Sequence, residues 1–398
     1  NSSVEGKVRR VLNGATITNP SGAALVVTAA DEAVVVLADG TTNTLTDGTG
    51  YDTTATDSPN AALFSMADLT IGGSGTLVVH GRTADGIATK DGLVILGGTI
   101  TVDAVDDGIR GKDYIDVQGG TVSVTAGQDG LKSTNETDDT VGWIAVSTGS
   151  VTLTAGDDGI HAEGDLAIAG GTVTVAKSAE GIEGANIAIS GGIVSITASD
   201  DGVNVSGGTS GQTQGGGGGG GMQDDGSLLG ISGGTVIVNS SGDGLDSNGS
   251  TEITGGLIVV SGPTANNNGA LDSNGGINVT GGTLIAAGSS GMAESPDATS
   301  TQGWLAATLT QSVAAGKTIS IVSGDTVIAS YTTLRTVSSV VFTSSAIQKG
   351  QTYDIYVGGS LAGEASGTYS AGGSISGASK LSTVTAGVAT RGGGMGRP

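Results

Sequence analysis

GGTITVDAVDDGIRGKDYIDVQ (97–118), GGTVSVTAGQDGLKSTNETDDTVGWIAVS (119–147), TGSVTLTAGDDGIHAEGDLAIA (148–169) and GGTVTVAKSAEGIEGANIAIS (170–190) are four variants of one phrase. Each has a small-residue pair ending in Gly, an alternating Thr/aliphatic run, an acid-Gly-aliphatic step and a second alternating run. The acid-Gly step falls at Asp85, Asp107, Asp129, Asp158, Glu180, Asp201 and Asp243, at intervals of 22, 22, 29, 22, 21 and 42 residues. Self-similarity at a fixed period signals a stacked repeat architecture. The long intervals carry extra loops, one around Asn135 to Asp139 and one holding the glycines Gly215 to Gly221.

In Thr99–Asp103, Ile100 and Val102 share one face, and Thr99, Thr101 and Asp103 the other. Successive repeats superpose these aliphatics on Val122/Val124, Val151/Leu153, Val173/Val175 and Val194/Ile196. A unit of about 22 residues is too short for a strand, a helix and a return, so two or three short strands per turn of a parallel β-helix are expected. Alternation at Val8 to Leu12, Ala24 to Val27 and Val34 to Leu37 reads as degenerate first coils. The parallel β-helix is expected over 1–294, with the repeat clear from Gly72 to about Gly291 and a Gly-rich insertion at about 208–226. Residues 295–360 read as a small antiparallel β-module that caps the last rung, and 361–398 as a Gly/Ser/Thr-rich tail.

The formal charge of −23 argues against nucleic acid and anionic membrane as partners and makes cations the natural counterpart. No apolar run approaches a membrane span, no leader is visible at Asn1, and there are no cysteines. The Thr/Ser/Gly/Asn-rich, Lys-poor composition suits a secreted or cell-surface protein.

In-register stacking brings carboxylates of adjacent coils to about 5 Å, where like charges repel unless a cation intervenes. The acids Asp157, Asp158, Glu180, Glu183, Asp200 and Asp201 therefore form a candidate calcium cluster, with Asp243 and Asp246 in a second. The alternative is turn chemistry, each carboxylate capping backbone amides. The residue after each Gly-aliphatic pair makes another ladder: Ala88, Arg110, Lys132, His161, Glu183, Asn204, Asp246 and, more loosely, Asp272. Arg110, Lys112 and Lys132 offer a cationic patch suited to uronate carboxylates, or a solvated face offsetting nearby acids. Tyr114 and Trp143 occupy one position of consecutive coils, a stacking platform for sugar rings or a purely structural ladder. A calcium-dependent uronate lyase would use Arg110 or Lys132 as base near Asp107 and Asp129, but no independent catalytic signature exists.

The DDGIR, DGLKSTN, DDGIHAE and EGIEGANI steps resemble those of the secreted carbohydrate-binding β-helix proteins of cellulose-degrading clostridia. So do LADGTTNTLTDG (37–48), NAALFSMADLTI (60–71) and the AAGKTISI…QKGQTYDIYVGG module. The resemblance covers roughly residues 7 to 360. It implies a right-handed parallel β-helix like that of pectate lyases, calcium held by acidic turns, and binding of cellulose or acidic pectin-type polysaccharide without catalysis. This chain starts inside the family's LNGATIT pattern, so its first rung is expected to need a neighbour. An open rung also permits head-to-tail self-association into extracellular fibres.

Overall fold

A computed structural model describes residues 2–3, 5–55, 57–207, 223–363 and 365–388. The described residues contain strands and turns and no α-helix. Two compact units arise: Asn1–Val194 with Ser206–Gly219, and Ser195–Val205 with Gly220–Pro398. Within the second unit, parallel pairing ends with Thr283–Gly288 and the antiparallel strands begin at Trp304–Val313, either side of residue 294. Most of the Gly-rich insertion, and the end of the tail, lie outside the described residues.

In the first unit each coil adds one strand to each of three parallel sheets. The coil of the founding phrase contributes Asp85–Thr89 to sheet 1, Gly92–Ile95 to sheet 2 and Thr99–Ala104 to sheet 3. The next contributes Ile109–Gly111, Tyr114–Val117 and Thr121–Ala126. Register follows the sequence superposition: Ile100 pairs with Val122, Val122 with Val151 and Val151 with Val173, and Val102, Val124, Leu153 and Val175 do the same. All eight are buried. Repetition fixes the register because a one-residue slip would turn this aliphatic column to solvent. The degenerate first coils are present as Lys7–Leu12, Leu25–Ala29, Glu32–Leu37 and Thr42–Thr46.

Two glycines of the phrase are dictated by stacking. The second of each pair has positive φ, +83° at Gly120 and +87° at Gly149, a conformation that a Cβ disfavours. The Gly after the acid has no room for one: at Gly108 a Cβ would lie 2.1 Å from Val124 Cγ1 and 2.7 Å from the Gly130 carbonyl.

The second unit repeats the three-sheet arrangement, then changes. The column that carries Thr101, Ser123 and Thr152 in the first unit is Ile237, Val259 and Ile285 here, in register. Val337–Thr343 adds antiparallel to Thr283–Gly288, and Trp304–Val313 to Val337–Thr343. A separate five-stranded antiparallel sheet comprises Thr318–Ser323, Thr326–Thr332, Thr352–Val357, Tyr369–Ala371 and Ser379–Thr385. Its inner face packs Ile319, Ile321, Ala329, Tyr331, Tyr353 and Ile355 into one core with Val259 and Ile285. Buried Tyr331 Oη lies 2.6 Å from Ser261 Oγ.

One expectation needs correction. The final segment is not a bare tail, since Tyr369–Ala371 and Ser379–Thr385 complete the antiparallel sheet. In the second unit the outward column is aliphatic where the antiparallel sheet covers it.

Candidate functional site

The acid-Gly step leads into the strands of sheet 1 from Asp85–Thr89 to Leu245–Ser247, and its carboxylates divide their work between two oxygens. One oxygen caps the next coil: Asp129 N–H donates to Asp107 Oδ1 at 3.2 Å, and Asp158 N–H to Asp129 Oδ1 at 2.9 Å. The other meets a cation from the neighbouring ladder, in which Ala88, Arg110, Lys132, His161 and Glu183 pair in register. Arg110 Nη2 lies 2.7 Å from Asp85 Oδ2, Lys132 Nζ 2.5 Å from Asp129 Oδ2, and His161 Nδ1 2.8 Å from Asp158 Oδ2. Turn chemistry and charge compensation therefore coexist, and the compensating charge comes from the chain itself.

Burial sets the electrostatics. Asp85 is fully buried; its Oδ2 accepts from Asn60 Nδ2 at 2.8 Å, and its Oδ1 has no partner. Desolvation lifts its pKa from 3.8 to about 7 against the opposing charge of Arg110. Burial alone would lower His161, but hydrogen bonds to Asp158 and Glu183 outweigh it and hold the imidazole protonated, at about 11. Burial would likewise lower Lys132, but Asp129, Asp107 and Asp158 raise it.

The predicted metal ligands fall in both units. Asp158, Glu180 and Glu183 gather in the first unit, their oxygens within 4.8 Å of one another, but His161 Nδ1 already sits 3.0 Å from Glu183. Asp157 is exposed. Asp200 and Asp201 belong to the second unit, where Asp201 joins Asp243 and Asp246 within the same 4.8 Å. There the cation-ladder position holds Asn204, Asp246 and Asp272 in register, so no basic side chain occupies it. Backbone capping persists: Asp243 N–H donates to Asp201 Oδ1 at 2.5 Å, and Gly269 N–H to Asp243 Oδ1. Burial pushes Asp243 up to about 6; the Gly269 amide opposes this, and the charges of Asp201, Asp272 and Asp200 add to it. A crowded set of oxygen donors with no cationic rung fits a hard divalent ion such as calcium.

Sheet 2 carries the aromatic platform. Tyr114 and Trp143 pair in register with ring centroids 4.7 Å apart and planes 7° apart. Gly92 occupies the preceding rung, and a Cβ there would lie 2.0 Å from Tyr114 Cζ, so the glycine makes the seat on which the phenol lies. The phenol reaches over it to Asp68, Oη to Oδ1 3.4 Å. Both rings are half-exposed. Of the predicted cationic patch, Lys112 is exposed, while Arg110 and Lys132 turn to the acid ladder.

Sequence reasoning missed a cavity of about 200 Å³ beside this platform, lined by the Asn135–Val141 loop together with Glu163, Gly164, Asp165, Ala185 and Asn186. The loop is the insertion of the 29-residue interval. It is tied down by Asn135 Nδ2 donating to Asp113 Oδ1 at 2.7 Å and by Thr140 N–H and Oγ1 donating to Asp138. The interval itself was the available signal.

The profile of a family described as carbohydrate-binding domain-containing protein matches residues 1–226. A relative of that description from Acetivibrio thermocellus is 34% identical over 96 residues, 24% of this chain and 34% of the relative. The chain thus spans about a third of that relative's length. Among solved structures, a polysaccharide lyase-like protein from C. thermocellum, determined as a gadolinium derivative, is 31% identical over 48% of this chain and 73% of its own, with a TM-score of 0.41.

Proposed function

This chain belongs to the family of carbohydrate-binding domain-containing proteins, and from that premise we propose that it binds polysaccharide outside the cell without transforming it. The observation that carries this reading is the stacked, half-exposed Tyr114–Trp143 pair, a flat apolar surface of the kind on which sugar rings pack. Non-catalysis is supported by the state of the groups a lyase would use. A base must be free and its pKa lowered toward neutrality, whereas Arg110 and Lys132 are both ion-paired and Lys132 is shifted upward.

Calcium is proposed for the second unit, at Asp201, Asp243 and Asp246, where the neighbouring ladder supplies no cation. In the first unit His161 supplies the charge that an ion between Asp158 and Glu183 would otherwise bring. The proposed role of the ion is structural, relieving repulsion between carboxylates on successive coils.

The test is retention on insoluble polysaccharide by the whole chain and by Trp143→Ala, with far-ultraviolet circular dichroism as the control for folding. Weakened retention by a folded variant supports the reading. Equal retention by both would remove the platform from it.

A further inference from the structure

Asp85 breaks the rule of its own ladder. In Asp129 the donors divide between the two carboxylate oxygens, the Asp158 amide on Oδ1 and Lys132 on Oδ2. In Asp85 both fall on one oxygen: Oδ2 accepts from Asn60 Nδ2 at 2.8 Å and from Arg110 Nη2 at 2.7 Å, while Oδ1 is buried and accepts from neither. An ionised carboxylate has two equivalent oxygens that both accept, whereas a protonated one has a carbonyl that accepts and a hydroxyl that donates. A hydroxyl at Oδ1 needs an acceptor, and Asn60 supplies one, because its own Oδ1 is buried without a partner. Each orphaned oxygen is the second atom of a planar group whose first atom is already bonded to the other group. One proton between them satisfies both and closes a ring of two hydrogen bonds, Asn60 Nδ2–H to Asp85 Oδ2 and Asp85 Oδ1–H to Asn60 Oδ1. Without that proton two buried acceptors face no donor, which is costly.

Asn60 stands just ahead of Ala61–Ser65 and Asp85 opens Asp85–Thr89, neighbouring strands of sheet 1 in which Ala61 and Asp85 are in register. The Asp85 amide also donates to the Asn60 carbonyl at 3.0 Å. The pair thus joins one coil to the next where the chain enters sheet 1. One coil on, the place of Asn60 is taken by Ala84, so Asp107 cannot be held in the same way. The charged and titratable groups that act on Asp85 are Arg110, Asp107 and Asp106 of the following coil, Lys90 at the end of its own strand, and Tyr51 on the segment ahead of Asn60. Burial favours the neutral acid against the pull of Arg110; the charges of Asp107 and Asp106 add to burial, and the Asp107 amide opposes it.

We propose that Asp85 and Asn60 form a proton-closed acid–amide clasp between consecutive coils of the first unit, shut while Asp85 carries its proton and opened when that proton leaves for solvent. Its departure removes the bond to Asn60 Oδ1, sets two acceptor oxygens against each other and leaves Arg110 as the counter-ion of the carboxylate. The clasp is independent of which glycan the protein binds.

The test is pH-difference infrared spectroscopy of the whole protein as wild type, Asp85→Asn and Asn60→Leu, together with hydrogen exchange of the Ala61–Ser65 and Asp85–Thr89 amides corrected for intrinsic rates. At about pH 5 the wild type is expected to show a carboxylic-acid carbonyl band that Asp85→Asn lacks and that fades with a midpoint of about 7. Asn60→Leu is expected to move that band to the higher frequency of an acid with fewer hydrogen bonds. Between about pH 5 and about pH 9 wild-type protection is expected to fall about fivefold, the loss of one hydrogen bond. Asp85→Asn carries an amide that can donate to Asn60 at every pH, so its protection is expected to stay at the acid wild-type level throughout. The proposal is overturned by the absence of an acid band that Asp85→Asn removes, by a band that Asn60→Leu leaves unmoved, or by protection that follows pH alike in the wild type and Asp85→Asn. Should Asn60→Leu not fold, the band and the contrast between wild type and Asp85→Asn still decide.

Discussion

Replacing Arg110 by Met removes the guanidinium that faces Asp85, whose side chain is fully buried. Breaking a buried ion pair commonly costs about 3–5 kcal/mol. Here the cost depends on pH, because the Asp85 carboxyl ionises only near pH 7 even with Arg110 in place. A carboxyl raised from 3.8 to about 7 keeps its proton in the folded state through a window where the unfolded chain has released it. Its stabilising contribution is therefore full below about pH 4 and is lost as pH rises to about 7, a loss on the order of 4 kcal/mol. Without Arg110 the folded pKa rises further, and the variant continues to lose stability above pH 7 where the wild type has levelled off. The charge-dependent cost is thus near zero at about pH 5, small at about pH 7, and about 3 kcal/mol at about pH 9, two pKa units above the wild-type midpoint. Lost packing of the Arg110 stem is the same at every pH and cancels when pH values are compared. Urea unfolding of wild type, Arg110→Met, Asp85→Asn and the double variant at the three pH values reads this directly. The double variant is expected to lose the pH dependence of the single Arg110→Met change. A cost for Arg110→Met that is the same at acid and alkaline pH would refute the assignment of Asp85 as a largely desolvated, late-ionising carboxyl.

Gly92→Ala places a methyl where the Tyr114 ring lies; loss of the aromatic stack is expected to cost about 0.5–1.5 kcal/mol, with a matching loss of near-ultraviolet circular dichroism and weaker glycan retention. Ile285→Ser, at the core beneath the antiparallel sheet, is expected to destabilise the second unit by about 2–4 kcal/mol and to expose residues 304–388 to limited proteolysis. Calcium at about a hundred times its dissociation constant is expected to stabilise the second unit by about 3 kcal/mol. Asp243→Asn should abolish that effect and Asp158→Asn leave it intact, as read by hydrogen exchange within each unit.

Much of the molecule is written locally. The period, the aliphatic column at Ile100, Val122 and Val151, and the Gly pair with positive φ at Gly120 and Gly149 each follow from the pleat and from turn sterics, which act over a few residues and then repeat. Because repetition sets the register, the sequence also places Tyr114 against Trp143 and Arg110 beside Lys132. The change of the outward column to Ile237, Val259 and Ile285 was equally visible and foretold a covered face, but the repeat is polar there for so many coils that the exception is easily passed over.

What one coil's sequence does not contain is the neighbour of each charge. Whether an Asp of the ladder meets a guanidinium, an imidazolium or only other carboxylates depends on which side chain the adjoining coil presents and how far both are buried, and this separates Asp158 from Asp243 although their local motifs match. Strands Tyr369–Ala371 and Ser379–Thr385 read as linker because their alternation is weak; they are strands because Thr352–Val357 and Thr326–Thr332 offer them unpaired edges. The acidic cavity exists only because an insertion loop folds back over rungs that follow it by a full coil, so its charge could be counted from the sequence but its enclosure was decided by tertiary packing.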